Sequence, residues 1–148
     1  MYMTLIPGPN NEMITASVAP AYGSTANYAQ YTQGTKTIFS GSATPAIVVS
    51  GSITTYGNPV FIQCSGDANP VYTGWGRIQL YRDSTALCQK IQYEASGNNE
   101  NNPYSISCID PVAAGTYTYS MKVTSINTDT QFGEADGPNL ILMELSRV

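Results

Sequence analysis

Histidine does not occur in this chain of 148 residues, and no other absence excludes as much chemistry. Without an imidazole there is no Ser-His-Asp or Cys-His nucleophile system and no histidine metal ligand. The usual general base at neutral pH is missing as well. Charge is also scarce. Asp, Glu, Lys and Arg make up 11% of the residues, against roughly 25% in an ordinary soluble domain. The six basic residues, Lys36, Arg77, Arg82, Lys90, Lys122 and Arg147, form no cluster. A protein that neutralises nucleic-acid phosphates carries a basic stripe, so no nucleic-acid partner is expected. The longest aliphatic runs, Ala46 to Val49 and Leu140 to Met143, fall far below the ~20 apolar residues of a membrane-spanning helix. No membrane partner is expected either. The opening residues, Met1-Tyr2-Met3-Thr4-Leu5-Ile6-Pro7, carry no basic region ahead of an apolar one. They do not read as a secretory signal, and synthesis in a cytoplasm is expected.

Cysteine is sparse too. Cys64, Cys88 and Cys108 are an odd set with no metal-ligand spacing. Three buried thiols are expected, with a disulfide between two of them as the alternative. A domain of this length buries ~70% of the surface its unfolded chain exposes, so its core needs no covalent staple.

What remains for catalysis is carboxylates, a Ser-Lys pair or a lone cysteine, and nothing in the spacing favours any of them. No Gly-rich loop stands between a strand and a helix to cradle phosphate. Asp129, Glu134 and Asp136 fall in one loop, and Asn98, Asn99, Glu100, Asn101 and Asn102 in another. Calcium favours such oxygen ligands, but the spacing fits no calcium loop, and Asn, Asp and Gly are ordinary turn residues. The expectation is a protein without enzymatic activity, cofactor or metal.

The chain divides in two by composition. Residues 1–34 are Ala, Thr, Tyr, Gln, Asn, Gly and Pro with Glu12 as the only charge, and Pro7, Pro9 and Pro20 interrupt any helix. Tyr2, Met3, Ile6, Met13, Ile14, Tyr22, Tyr28 and Tyr31 dot this stretch with apolar contact points. An extended arm that docks on a larger surface is one reading. A tail, or an early strand folded back on its own domain, is the other.

Residues 35–148 read as a β-sandwich domain of short strands parted by turn residues. Expected strands are Thr37 to Ser40, Ala46 to Ser50, Ile53 to Tyr56, Val60 to Cys64 and Trp75 to Arg82. Ala86 to Tyr93 follows across a hairpin turn at Asp83-Ser84, then Tyr104 to Ile109, Thr116 to Val123 and Leu140 to Leu145. In Thr116 to Val123 the alternation puts Tyr117, Tyr119, Met121 and Val123 inward. Eight or nine such strands without a helix predict an all-β antiparallel sandwich or jelly roll. The Asn-rich loop carrying Asn98, Asn99, Asn101 and Asn102 is expected to be exposed and available for recognition. The last strand has apolar residues on both faces: Leu140 and Leu142 on one, Ile141, Met143 and Leu145 on the other. A strand apolar on both sides is covered on both sides. The residues Ile141, Met143 and Leu145 are therefore the candidate seam of a homo-oligomer, unless the N-terminal arm caps them. With 11 tyrosines and one tryptophan, the chain is rich in side chains that favour protein interfaces and sugar grooves as well as strands.

Two resemblances are carried by these residues. Cys64-Ser65-Gly66-Asp67, Trp75 and Asp110 with Ala114-Gly115-Thr116-Tyr117 resemble an immunoglobulin-like sandwich. Tyr119, however, stands where that family's second cysteine belongs. A longer match covers residues 58–145. It comprises Gly74-Trp75, Arg77-Ile78-Gln79-Leu80-Tyr81-Arg82-Asp83, Ile109-Asp110-Pro111, Gly115-Thr116-Tyr117-Thr118-Tyr119-Ser120, Phe132-Gly133-Glu134, Gly137-Pro138 and Leu140 to Leu145. This stretch is similar to small jelly-roll domains of tailed-bacteriophage virion proteins, at fibre tips or decorating capsids. The resemblance implies a virion structural protein made in a host cytoplasm, commonly a homotrimer with its last strand near the seam. Since the chain carries no long shaft, a capsid decoration (cement) protein whose partner is the major capsid protein is the first expectation. A fibre tip or receptor-binding knob that contacts a host glycan or protein is the second.

Overall fold

The computed structural model describes residues 6–7, 13–14, 28–32, 37–40, 45–98, 100–133 and 137–145, and these form strands and turns with no helix among them. The strands are β1 (Ile6–Pro7), β2 (Met13–Ile14), β3 (Tyr28–Thr32), β4 (Thr37–Phe39), β5 (Ala46–Tyr56) and β6 (Val60–Pro70). They continue with β7 (Gly74–Arg82), β8 (Thr85–Ala95), β9 (Asn102–Asp110), β10 (Ala114–Ile126), β11 (Thr130–Phe132) and β12 (Asn139–Glu144). The period-2 text explains them. In β9, Tyr104, Ile106, Cys108 and Asp110 are buried while Ser105, Ser107 and Ile109 are exposed, the alternation of a strand with one face on a core.

The pairing is nested. β3 pairs with β12, β5 with β10, β6 with β9 and β7 with β8, all antiparallel. First with last and inner with inner is the order of a long hairpin rolled around a barrel, which is the jelly roll. The roll makes two sheets. The back sheet runs β8-β7-β10-β5. In the front sheet β9 takes one edge of β6, and β12 and β11 share the other edge along its two halves. β3 and β4 lie outside β12 and β11 respectively. β1 and β2 form a separate two-stranded pair, Ile6 opposite Ile14. The immunoglobulin-like alternative is thereby replaced: Trp75 is half-buried, not sealed in the core, and Cys64 is a free thiol.

Between the sheets lie Ile62, Ile78, Leu80, Tyr119, Met121, Phe132, Leu140 and Leu142, all fully buried, each aliphatic among them worth about 1.5–3 kcal/mol over exposure. Phe132 meets Phe39, Tyr93 and Tyr104 edge to face, with centroids 5.7, 6.0 and 6.1 Å away, a favoured quadrupole arrangement.

Three differences from the sequence expectation have physical causes. β5 is one strand through Gly51-Ser52, not two. A Cβ at Gly51 would collide with the ring of Tyr31, so the glycine makes room for the ring there. The Tyr31 hydroxyl donates to the Ser52 carbonyl. The sandwich also begins before residue 35, because 28–32 form β3 on the edge of the front sheet. Finally, the cysteines are not three thiols: Cys88 and Cys108 form a disulfide, and only Cys64 is free and buried. The cause is a register shift between Ile78 and Leu80 that bulges β8. Cys88 there takes a positive φ of 53°, and the Gln79 amide donates to the Leu87 and Cys88 carbonyls at 3.3 and 2.8 Å. A bulge re-aims a side chain, and this one turns Cys88 toward β9 at the other sheet's edge.

Candidate functional site

The registers of β3, β12, β6 and β9 set the outer face of the front sheet in rows. The first row is Tyr28, Met143, Phe61 and Ile109, the second Gln30, Ile141, Gln63 and Ser107, and the third Thr32, Asn139, Ser65 and Ser105. Polarity therefore grades along the strands from an apolar end to a neutral polar end. In the first row Tyr28 is 46% exposed, Met143 39% and Ile109 59%, while Phe61 is half-buried between them. Four neighbouring apolar side chains spanning four strands make a contiguous patch, unlike the isolated apolar residues normal on any surface. Half-buried Ile141 extends the patch into the second row.

The outer face of the back sheet is built differently. Thr54 and Thr116 share a hydroxyl hydrogen bond of 2.9 Å, as do Ser52 and Thr118. The Arg77 guanidinium lies over the Trp75 ring at 5.1 Å, and its Nε donates to Gln92 Oε1 at 2.9 Å. Lys122 Nζ lies over the Tyr81 ring at 4.3 Å. Cations held on ring faces satisfy both the ring and the charge.

Inside, three ties hold the sheets together. Arg82 Nη1 donates to both carboxylate oxygens of buried Asp110, at 2.9 and 2.8 Å. The Tyr119 hydroxyl donates to the same carboxylate at 2.9 Å. Burial first, and then the bond to Asp110, push the Tyr119 phenol above its ordinary pKa. The disulfide is the second tie, joining edge strands β8 and β9. The third is Glu144, buried at the end of β12. Its Oε1 accepts from the Thr55 hydroxyl (2.7 Å), the Tyr56 and Asn58 amides (2.8 and 3.1 Å) and Asn58 Nδ2 (3.0 Å). Burial alone would raise the carboxyl, but these bonds outweigh it and hold its pKa below the ordinary value. The Cys64 thiol is pushed up to about 12 by burial and so is not a nucleophile at neutral pH. No group of three or more potential metal ligands occurs among the described residues.

The residues singled out from sequence fall as follows. Met143 and Ile141 lie on the outer face as expected, and Leu145 follows half-buried, its amide donating to the Pro59 carbonyl at 2.8 Å. Tyr28 joins them in the apolar row, while Tyr31, two residues on, packs against the core. Ile6, Met13 and Ile14 lie in β1 and β2, and Tyr2, Met3 and Tyr22 lie outside the described residues. Asn98 and Asn101 are exposed, Asn102 begins β9 half-buried, and Asn99 is not among the described residues. Glu100 organises that loop by accepting from the Ser96 and Gly97 amides at 2.7 and 3.1 Å, which holds its carboxyl below the usual range. Phe61 and Ile109 were not singled out from sequence. The signal was the outward parity of β6 and β9, which becomes a patch only once the strands are in register.

No protein-family model and no curated protein matches the chain. The fold recurs among solved structures without the sequence. A chain of infectious bursal disease virus, Gx strain, is 14% identical with a TM-score of 0.54, covering 99% of this chain and 39% of that one. Eiger TNF from S. frugiperda is 7% identical, TM-score 0.52, covering 82% and 95%. The insecticidal delta-endotoxin Cry8Ea1 of Bacillus thuringiensis is 8% identical, TM-score 0.50, covering 98% and 29%. These likenesses are of fold, and the class they define with the topology is the jelly-roll β-sandwich.

Proposed function

We propose that this chain is a non-enzymatic structural protein of a bacteriophage virion, a capsid decoration protein that docks on capsid subunits and self-associates as a homotrimer. The observation that carries the reading is the exposed row Tyr28, Met143, Phe61 and Ile109, extended by Ile141, on the front sheet. Apolar side chains with aromatic and methionine content at the centre of a patch are the composition of an interface core. The polar, sparsely charged remainder has little self-repulsion to keep copies apart. The disulfide, with Cys88 exposed, adds support, since such bonds persist in oxidising surroundings such as a particle surface outside its host. A fold shared with a chain of a virus structure is consistent with the reading.

In this reading the apolar end of the front sheet forms the trimer seam and residues 1–27, which precede β3, reach to the neighbouring capsid subunit. Because β3 belongs to the sandwich, an informative truncation removes 1–27 and spares Tyr28. Full-length protein is expected to co-sediment with undecorated capsids. The truncated protein is expected to stay folded and trimeric by analytical ultracentrifugation and to lose capsid binding. Full-length protein that ignores capsids, or a truncated form that decorates them fully, defeats the proposal.

A further inference from the structure

The polar end of the front sheet is shaped differently from the apolar end. A shallow groove of about 550 Å³ opens there, lined by Gln30, Thr32, Ser65, Gly66, Tyr104 and Asn139 among others. None of its described lining residues carries a charge at neutral pH. Its side chains are ordered by bonds to one another. Asn139 Oδ1 accepts from Gln30 Nε2 at 3.0 Å and from the Thr32 hydroxyl at 3.3 Å. The Tyr28 hydroxyl donates to Gln30 Oε1 at 2.8 Å, and Gln63 Nε2 reaches the Ser105 hydroxyl at 3.5 Å.

This ordering leaves defined valences unused. With both lone-pair sites of Asn139 Oδ1 taken, its Nδ2 is a donor with no further hydrogen bond among the described residues. The Ser65 hydroxyl and Gln63 Oε1 are likewise uncommitted. The buried Tyr104 hydroxyl finds no oxygen or nitrogen partner among the described residues. A Cβ at Gly66 would stand 2.8 Å from that hydroxyl, so the glycine makes room for the Tyr104 ring end there.

The chemistry of the occupant follows by elimination. A charged ligand would find no opposite charge among the described lining residues, and an apolar one would leave amides and hydroxyls unpaired at a cost per group. A polyhydroxylated ligand matches, because each hydroxyl both donates and accepts, as the amides do collectively. We infer that the groove between β3, β12, β6 and β9 binds a neutral glycan, with Asn139, Gln30 and Thr32 as its principal contacts. The inference goes beyond capsid docking and does not rest on it, since it uses the opposite end of the sheet.

The test is a titration of the full chain, followed by amide chemical shifts, with neutral tetrasaccharides of glucose, galactose and N-acetylglucosamine. A sialylated tetrasaccharide serves as the charged control. At least one neutral sugar is expected to shift residues 30–32, 65–66 and 137–139, and the sialylated one is expected to leave them unmoved. Asn139→Ala is expected to weaken binding ~10-fold, the loss of one well-placed hydrogen bond. Asn101→Ala, in the Asn-rich loop, is expected to leave it unchanged. Gln30→Ala gives an independent measure should Asn139→Ala fail to fold. No shift with any neutral sugar at millimolar concentrations overturns the inference, and so do shifts confined to the Asn-rich loop or binding of the charged control alone. Capsid co-sedimentation is unaffected by any of these outcomes, so failure here does not read as failure of the capsid proposal.

Discussion

The two sheets share one core and yet present unlike outer faces. On the back sheet Thr54 bonds Thr116, Ser52 bonds Thr118, and Arg77 and Lys122 rest on aromatic rings. Its exposed apolar side chains, Ile47 and Tyr56, stand at opposite ends of β5 and form no row across the strands. On the front sheet the row from Tyr28 to Ile109 has its apolar surface bare. The inward sides of both sheets follow one rule, aliphatic and aromatic packing, so the outward difference is not a by-product of folding. It marks the front sheet as the face with unfinished contacts. It also separates stability, which resides in the shared core and its three ties, from association, which resides in one face.

The largest effect expected is on a tie. Replacing Cys88 and Cys108 together with Ser removes a cross-link spanning 20 residues of sequence, worth about 3 kcal/mol on loop-closure grounds. Denaturant midpoints of the double variant, and of wild type with a thiol reductant, should fall together. Cys108 stands beside Ile109 in β9, so hydrogen-exchange protection should drop along β9 and β8 and persist along β5 and β10. A uniform loss of protection would show that the two sheets do not yield separately.

A somewhat smaller effect should fall on association alone. Met143→Glu places a charge in the centre of the apolar row, and a hot-spot loss of about 2 kcal/mol corresponds to roughly 30-fold weaker self-association. Thr116→Glu makes the same chemical change on the back sheet, and there only about 0.5 kcal/mol of stability is expected to move. Sedimentation equilibrium on both variants decides the matter. Equal weakening by both would dissolve the distinction between the faces.

Much of this arrangement was legible from the text alone. The alternation of β9 and β10, the turn at Asp83-Ser84 and the two-faced run Leu140 to Leu145 are local patterns, and the fold keeps them. What was hidden depends on partners distant in sequence. Gly51 reads as punctuation until Tyr31, 20 residues earlier, lays its ring there. β3 reads as arm because Gln30 and Thr32 are polar, and only β12 beside it turns them into a sheet face. The disulfide depends on a bulge that no spacing rule encodes. The buried acids were within reach: Asp110 lies two residues after Cys108 and Glu144 two after Leu142, so strand parity points both inward. The groove was not, since its residues come from four strands.

Glu144 supplies the smallest and most diagnostic effect. It sits on the inner side of the front sheet and holds the turn through which β5 of the back sheet passes into β6 of the front. Glu144→Gln keeps the shape but makes the acceptor neutral, and charge-assisted bonds are roughly twice as strong as neutral ones. A loss of about 1.5 kcal/mol is expected at neutral pH. The folded carboxyl titrates below its ordinary value of 4.5, so its stabilisation is complete above that value and vanishes as pH falls through the folded pKa. The gap between wild type and variant should therefore close on acidification, wild type losing stability that the variant never had. A gap that stays constant or widens toward low pH would mean that the carboxylate is not what secures the turn. Self-association of the variant should match wild type at neutral pH, because the substitution lies on the shared interior and leaves the outer row of the front sheet intact.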